Sequence, residues 1–212
     1  MAMRQLAMIT AVFLAACSVA DEDLTEAPEP LGQFRLGHNI AIADNTQKGP
    51  YSQDFTQDQL EAAVQNAVAE RLRRYDGDGL YHLGVVVGAV ALTQPGIPVV
   101  YASQSAMIVD VTVFDNATQE KLNTEPHRIF ATLGMGGGVP LIGTGYVGEP
   151  EQQMQRLSKV VAKEIEEWLR DNPQWFAPRD GQVRVPYDIS VPAPVIDTSS
   201  IENISTGEEV AN

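Results

Sequence analysis

Apolar positions along this chain recur in two rhythms. Downstream of Thr56, Leu60, Val64, Val68, Leu72 and Tyr75 stand three or four residues apart, the repeat of one face of an α-helix. Thr56 and Gln59 sit three apart, as in a capping box. There, hydroxyl and side-chain amide reciprocally satisfy the first free amides of a helix. The basic end at Arg71, Arg73 and Arg74 suits the negative pole of the helix dipole, and Asp76-Gly77-Asp78-Gly79 stops the helix. A second helix is expected from near Pro150, a favoured first helical residue. Met154, Leu157, Val161, Ile165 and Trp168 form its buried stripe, and Asn172-Pro173 ends it.

The other rhythm has a period of two. Between Ser105 and Phe114, Met107, Val109, Val111 and Val113 line one face. Ala106, Ile108, Asp110, Thr112 and Phe114 line the other. Arg35 to Asp44 alternates similarly, with Leu36, Ile40 and Ile42 on one face and His38 among them. Leu80 to Leu92 and His127 to Leu133 read as further strands, with Val139 to Gly145 as a candidate fifth. The order β-α-β-β-β(-β)-α predicts an α+β fold. The expected architecture is a two-layer sandwich, a mainly antiparallel sheet of four or five strands with two helices on one face.

This periodic part spans residues 33–176, with Trp175-Phe176 packing back on the domain. From residue 177 to 212 the pattern dissolves. Val183-Arg184-Val185-Pro186 and Val191-Pro192-Ala193-Pro194-Val195 are interrupted by proline, and a disordered or extended tail is expected. Its Val-Pro segments suit docking on a partner as an added strand or a polyproline-type element.

The first sixteen residues follow neither rhythm. A single positive charge at Arg4 precedes an apolar run from Leu6 to Ala16. That is the pattern of a secretory signal, and the run is too short for a transmembrane helix, which needs about twenty apolar residues. The only cysteine follows, in Leu14-Ala15-Ala16-Cys17. This resembles the lipobox of bacterial lipoproteins. The resemblance implies cleavage between Ala16 and Cys17 and lipidation of the Cys17 thiol, so the chain meets the membrane through that lipid. In that family an Asp after the cysteine favours inner-membrane retention; Ser18 here implies the periplasmic face of the outer membrane.

Residues 17–32 then form a tether. It carries Asp21, Glu22, Asp23, Glu26 and Glu29 with Pro28 and Pro30 and no basic residue, so charge repulsion and proline stiffness keep it extended. The element order from about Arg35 to Leu169 resembles that of the lipopolysaccharide-assembly lipoproteins (LptE-like), a sheet with two helices on one face behind a lipidated cysteine. The chain also resembles uncharacterised lipoproteins of alphaproteobacteria. Both resemblances imply a role in the cell envelope.

Composition narrows the remaining choices. With 14 basic and 28 acidic residues the net charge is −14, which argues against nucleic acid. Cleavage after Ala16 removes Arg4 and leaves 13 basic residues against 28 acidic ones, a net charge of −15. One cysteine excludes a disulfide framework and any Cys-rich zinc module.

Gly143-Thr144-Gly145-Tyr146-Val147-Gly148 fits the dinucleotide fingerprint and precedes a helix, but no second parallel strand and no ribose-binding acid follow it. It reads as a glycine-rich strand exit. Gly134-Met135-Gly136-Gly137-Gly138 lacks the Lys-Ser/Thr of a phosphate loop. The Asp76 segment begins like a calcium loop but places Leu80 and Val87 where acidic ligands belong. His38, His82 and His127 show no metal-binding spacing.

The sequence therefore yields no catalytic, cofactor or metal residue. The expected function is a non-catalytic, outer-membrane-anchored binding or assembly module that engages an envelope protein. A small-ligand carrier, or accessory of envelope transport, needs an apolar cavity. A periplasmic hydrolase needs converging polar groups of perturbed pKa. Both remain as alternatives.

Overall fold

The structure is a computed structural model and describes residues 24–94, 105–133 and 149–187. Its elements are β1 (Phe34–Ile42), β2 (Gln47–Lys48), α1 (Gln57–Leu72), β3 (Gly79–Ala91), β4 (Ala106–Asp115), β5 (Glu120–Lys121), β6 (His127–Thr132) and α2 (Pro150–Arg170). A short 3-10 turn, Pro173–Phe176, follows α2. The fold is α+β, a sheet of six strands with two helices.

The helices form where the periodicity places them. The Thr56 hydroxyl accepts the Gln59 amide at 3.2 Å, and the Gln59 side chain accepts the Thr56 amide at 2.9 Å. Leu60, Val64, Val68 and Leu72 are fully buried, as are Met154, Leu157, Val161 and Ile165. Helix α1 ends at Leu72, ahead of the Asp-Gly segment, with Arg73 as its C-cap, so Tyr75 of the expected stripe lies just beyond the helix yet still joins the core.

The sheet corrects the antiparallel expectation. Strands β3, β4 and β6 are antiparallel neighbours, but β1 and the short β2 pair with β3 in parallel. The cause is the connection. A hairpin turn reverses the chain, whereas the helix α1 between β1 and β3 returns it to the end where β1 began, so β3 must run the same way. The sheet is therefore mixed, with short β2 and β5 added at its margins.

A second correction concerns strand faces. Leu36, Ile40 and Ile42 were expected on one face. The pairing of β1 with β3 shifts register between Leu36 and Asn39, and such a bulge moves all later side chains to the opposite face. Phe34 and Leu36 point into the core. Beyond the bulge Asn39, Ala41 and Ala43 lie toward α1, the Asn39 amide donating to the Gln65 carbonyl and the Ala43 amide to Glu61. Ile40 and Ile42 then face the other way. A similar shift at Gly88 carries the buried series of β3 from Leu83, Val85 and Val87 to Val90 and Leu92.

One aromatic cluster closes the end of the core. Phe34 stacks on Tyr81 at 5.6 Å and meets Phe176 edge-on at 5.1 Å, so Trp175-Phe176 does pack back. The Gln33 amide donates to the Phe176 carbonyl at 2.8 Å. Gly32 makes that approach feasible: its φ is +55°, and a Cβ there would stand 2.4 Å from the same oxygen.

Candidate functional site

Three polar or apolar constellations stand out beyond the core. The first joins the C-terminal ends of the helices. Glu166 of α2 is buried and accepts from Arg71 of α1 at 2.7 Å, from the Tyr75 hydroxyl at 2.5 Å and from Arg74 at 3.2 Å. Arg170 approaches the same carboxylate at 3.6 Å. Arg74 also donates to the Glu26 carbonyl, and Arg170 pairs with Glu29 at 3.8 Å. The cluster thus fastens the last part of the tether to the domain. Burial, then the hydrogen bond to Glu166, pushes the Tyr75 hydroxyl up to about 12. It stays a neutral donor at physiological pH.

The second constellation lies where the chain leaves the domain. Past Phe176, residues 177–187 run round the N-terminal ends of β1 and β3. Arg179 pairs with Asp115 at 2.5 Å, Arg184 with Asp76 and Asp78, and Arg35 donates to the Val185 carbonyl at 2.6 Å. Within this strap Tyr187 meets the His38 ring edge-on at 5.1 Å.

His38 and His82 come together there at 5.1 Å between ring centroids, although 44 residues separate them. The His38 amide donates to Nδ1 of His82 at 2.9 Å. Nε2 of His82 lies 3.1 Å from the Asn116 side-chain oxygen, which assigns the proton to Nε2. Both ring nitrogens of His82 are occupied by structural partners, so the ring offers no lone pair to a metal or a substrate proton. Burial, then the neighbouring His82, lowers the pKa of His38. His127 is apart from this pair, stacked on Trp168 at 4.3 Å, and burial lowers its pKa too. Among the described residues no group of three His, Cys, Asp or Glu side chains can hold a metal ion.

The third constellation is the sheet face turned away from the helices. Its register rows are Ile40 beside Gly84, Ile42 beside Val86 and Ala89 beside Ile108, with Ile108 also beside Phe130. Phe130 is 65% exposed. Gly84 and Gly88 leave the middle of the face shallow, for a Cβ at either would meet nothing closer than 3.7 Å. Across these rows Arg128 sits on Asp110 in a two-pronged contact at 2.8 and 2.9 Å that pairs the two charges. An exposed apolar position beside a paired Asp110 and Arg128 is the kind of surface at which proteins dock.

Ala16 and Cys17 lie outside the described residues, as do the Gly143–Gly148 motif, the Gly134–Gly138 turn, the candidate strand Val139–Gly145 and the Val-Pro segment from Val191. No helix of the described residues is long and apolar enough to cross a membrane. Sequence reasoning missed the Glu166 cluster and the meeting of His38 with His82, whereas the expectation of two helices on one face of the sheet already implied an open face. Alternation signalled that Ile108 and Phe114 oppose the core-facing valines, but nothing local tells which face the helices leave open.

No protein-family model matches the chain, and no curated protein matches it. Among solved structures it is similar to a candidate lipoprotein from Caulobacter crescentus CB15, at 16% identity over 64% of this chain and 93% of that one, TM-score 0.35. It is similar to a Xanthomonas campestris protein of the DUF330 family, at 11% identity over 71% and 91%, TM-score 0.38. It is also similar to the PelC dodecamer from Paraburkholderia phytofirmans, at 11% identity over 65% and 90%, TM-score 0.33. At these identities and scores the reading of function rests on the chain's own residues.

Proposed function

We propose that this chain is a non-catalytic lipoprotein of the cell envelope. It is held at the periplasmic face of the outer membrane by lipid on Cys17 and acts as a binding or assembly module for an envelope protein. In this reading the two helices form one layer and the sheet the other, and the sheet's free face is the working surface. The observation that carries the proposal is that face, above all Phe130 at 65% exposure beside Ile108 and the neutralised Asp110–Arg128 pair. The register of Arg4, the apolar run, Ala15-Ala16 and Cys17 supports the anchor. The likeness of element order to the lipopolysaccharide-assembly lipoproteins supports an assembly role.

The test is a photo-crosslinking residue at position 130 in intact cells, with a second at exposed Glu167 on the helix side as control. A discrete protein adduct from position 130 alone is expected. No adduct, or equal adducts from both positions, overturns the docking face. The anchor is tested separately: inhibiting the lipoprotein signal peptidase must make the precursor accumulate.

A further inference from the structure

Leu80 is buried, at 6% exposure, yet has no place in the packed core cluster. Its cover is the strap, for Leu80 lines one crevice with Arg179, Val183 and Val185. His82, the next position on the same face of β3, is 8% exposed. Tyr187 closes over it, its ring 6.3 Å from that of His82 and 5.1 Å from that of His38.

The His82 ring is wedged into the bulge of β1. The register with β3 is broken there, between Leu36 and Asn39, and the ring supplies the acceptor that the sheet does not: Nδ1 takes the His38 amide at 2.9 Å. Gly37 makes room for it, since a Cβ there would stand 2.5 Å from the same nitrogen. Nε2 is committed to the Asn116 oxygen at 3.1 Å. A second proton on His82 must therefore land on Nδ1, facing an N–H, and a cationic ring has to give up that bond.

Cations flank the pair on every side. From β1 come Arg35, whose guanidinium donates to the Val185 carbonyl, and the His38 ring itself. From the strap come Arg179, Arg184 and the Tyr187 hydroxyphenyl ring. Lys121 of β5 lies 6.0 Å over the Phe114 ring, and Phe114 stands opposite His82 on β4. The carboxylates at this end are engaged, Asp115 by Arg179, and Asp76 and Asp78 by Arg184. Burial, then the neighbouring His82, holds the pKa of His38 below its ordinary value.

From this geometry we infer that the outer part of the strap, residues 183–187, is an acid-released latch: when the His38–His82 pair takes up a proton, Tyr187 loses its seat and Leu80 is uncovered beside the open face. The inner part of the strap stays in place. Arg179 is fastened to Asp115, whose side chain is 3% exposed, and Gly181, at a φ of +74°, supplies the hinge. Arg184, Asp76 and Asp78 are all exposed, and ion pairs in water hold weakly. The seat of Tyr187 thus decides whether the outer part lies down. The latch goes beyond the proposed function and stands whether or not a partner takes the open face.

The experiment uses the full chain with Cys17→Ser and Leu80→Cys, so that position 80 carries its single thiol. The rate of thiol modification by dipyridyl disulfide is divided, at each pH, by the rate for Glu167→Cys in the same background, which cancels the chemistry of the reagent. A ring that binds a proton only when the strap is open, with the ordinary imidazole pKa near 6.5, raises the open population about 30-fold from pH 7.5 to pH 5. The ratio should climb toward that ceiling with the circular dichroism unchanged, and should not depend on pH when His38→Gln and His82→Gln are added. A rise of less than about fivefold overturns the latch, as does a rise that persists in the Gln background or comes with loss of the circular dichroism. Where Leu80→Cys disturbs the fold, NMR on the Cys17→Ser chain replaces it. The cross-relaxation between the Tyr187 and His38 rings should vanish as the imidazole protons titrate, and its survival through that titration overturns the latch.

Discussion

Replacing Glu166 by Gln removes one charge from the middle of the helix-end cluster with almost no change of shape. The Arg71 guanidinium lies 2.7 Å from that carboxylate, and the side chains of both are only 4% exposed. Without the carboxylate charge Arg71 loses its 2.7 Å ionic partner and meets a neutral amide at that position. Breaking a buried pair from one side costs about 3–5 kcal/mol. Arg74 and Arg170 are 18% and 34% exposed and keep contacts with Glu26 and Glu29, so water absorbs much of their loss and they add little.

The amide oxygen of Gln still accepts one hydrogen bond, which places the expected cost near the low end, about 3 kcal/mol. For a chain of this size that lowers Tm by roughly 6–12 °C. Urea unfolding followed by circular dichroism measures it, with Glu167→Gln as control. Glu167 is half-exposed, and its replacement should stay within about 0.5 kcal/mol of the parent. The double variant Arg71→Met with Glu166→Met removes both buried charges and should recover most of the loss. If Glu166→Gln costs less than about 1 kcal/mol, or the double variant is less stable than either single one, the buried pair does not hold the helix ends together.

The tyrosine in the same cluster predicts alkaline sensitivity. Its folded pKa is raised from 10 to about 12, so its contribution is complete below pH 10 and is lost as pH climbs toward 12. Urea midpoints should fall between pH 10 and 12, and Tyr75→Phe should flatten that fall; an unchanged slope refutes the assignment. For His38 and His127 burial lowers the folded pKa, so each favours the neutral ring. Their stabilising share is present above the unfolded value near 6.5 and is lost as pH falls through the folded one. Ring-proton NMR titrations should give both midpoints below 6.5, and a midpoint above it for either ring contradicts its burial. Phe130→Ser should leave stability within about 0.5 kcal/mol, because its ring is already in water. A loss above about 2 kcal/mol would mean the ring is packed and unavailable for docking.

Much of the fold was legible because its causes are local. The stripe Leu60–Tyr75, the Thr56–Gln59 box and the alternation from Met107 to Val113 each depend on residues within a turn or a pleat of one another. The failures are equally specific. Alternation cannot reveal a bulge, so Ile40 and Ile42 were assigned with Leu36 although the register shift before Asn39 turns them outward. Nor does alternation fix strand direction, which the helical connection between β1 and β3 decides. Arg71 was read only as part of a basic helix end suited to the dipole, because its partner Glu166 lies 95 residues away.

The sequence by itself determined the two helices, the Thr56–Gln59 cap and the main strands β1, β3, β4 and β6, since torsional preference and side-chain periodicity act over a few neighbouring residues. Only the tertiary structure decided that the sheet is mixed, that Arg71 meets Glu166, that His38 meets His82, and that Ile108 and Phe130 face away from the helices. Those outcomes depend on which distant segments close on one another, and the free energy of closure belongs to the whole packed chain, not to any local window.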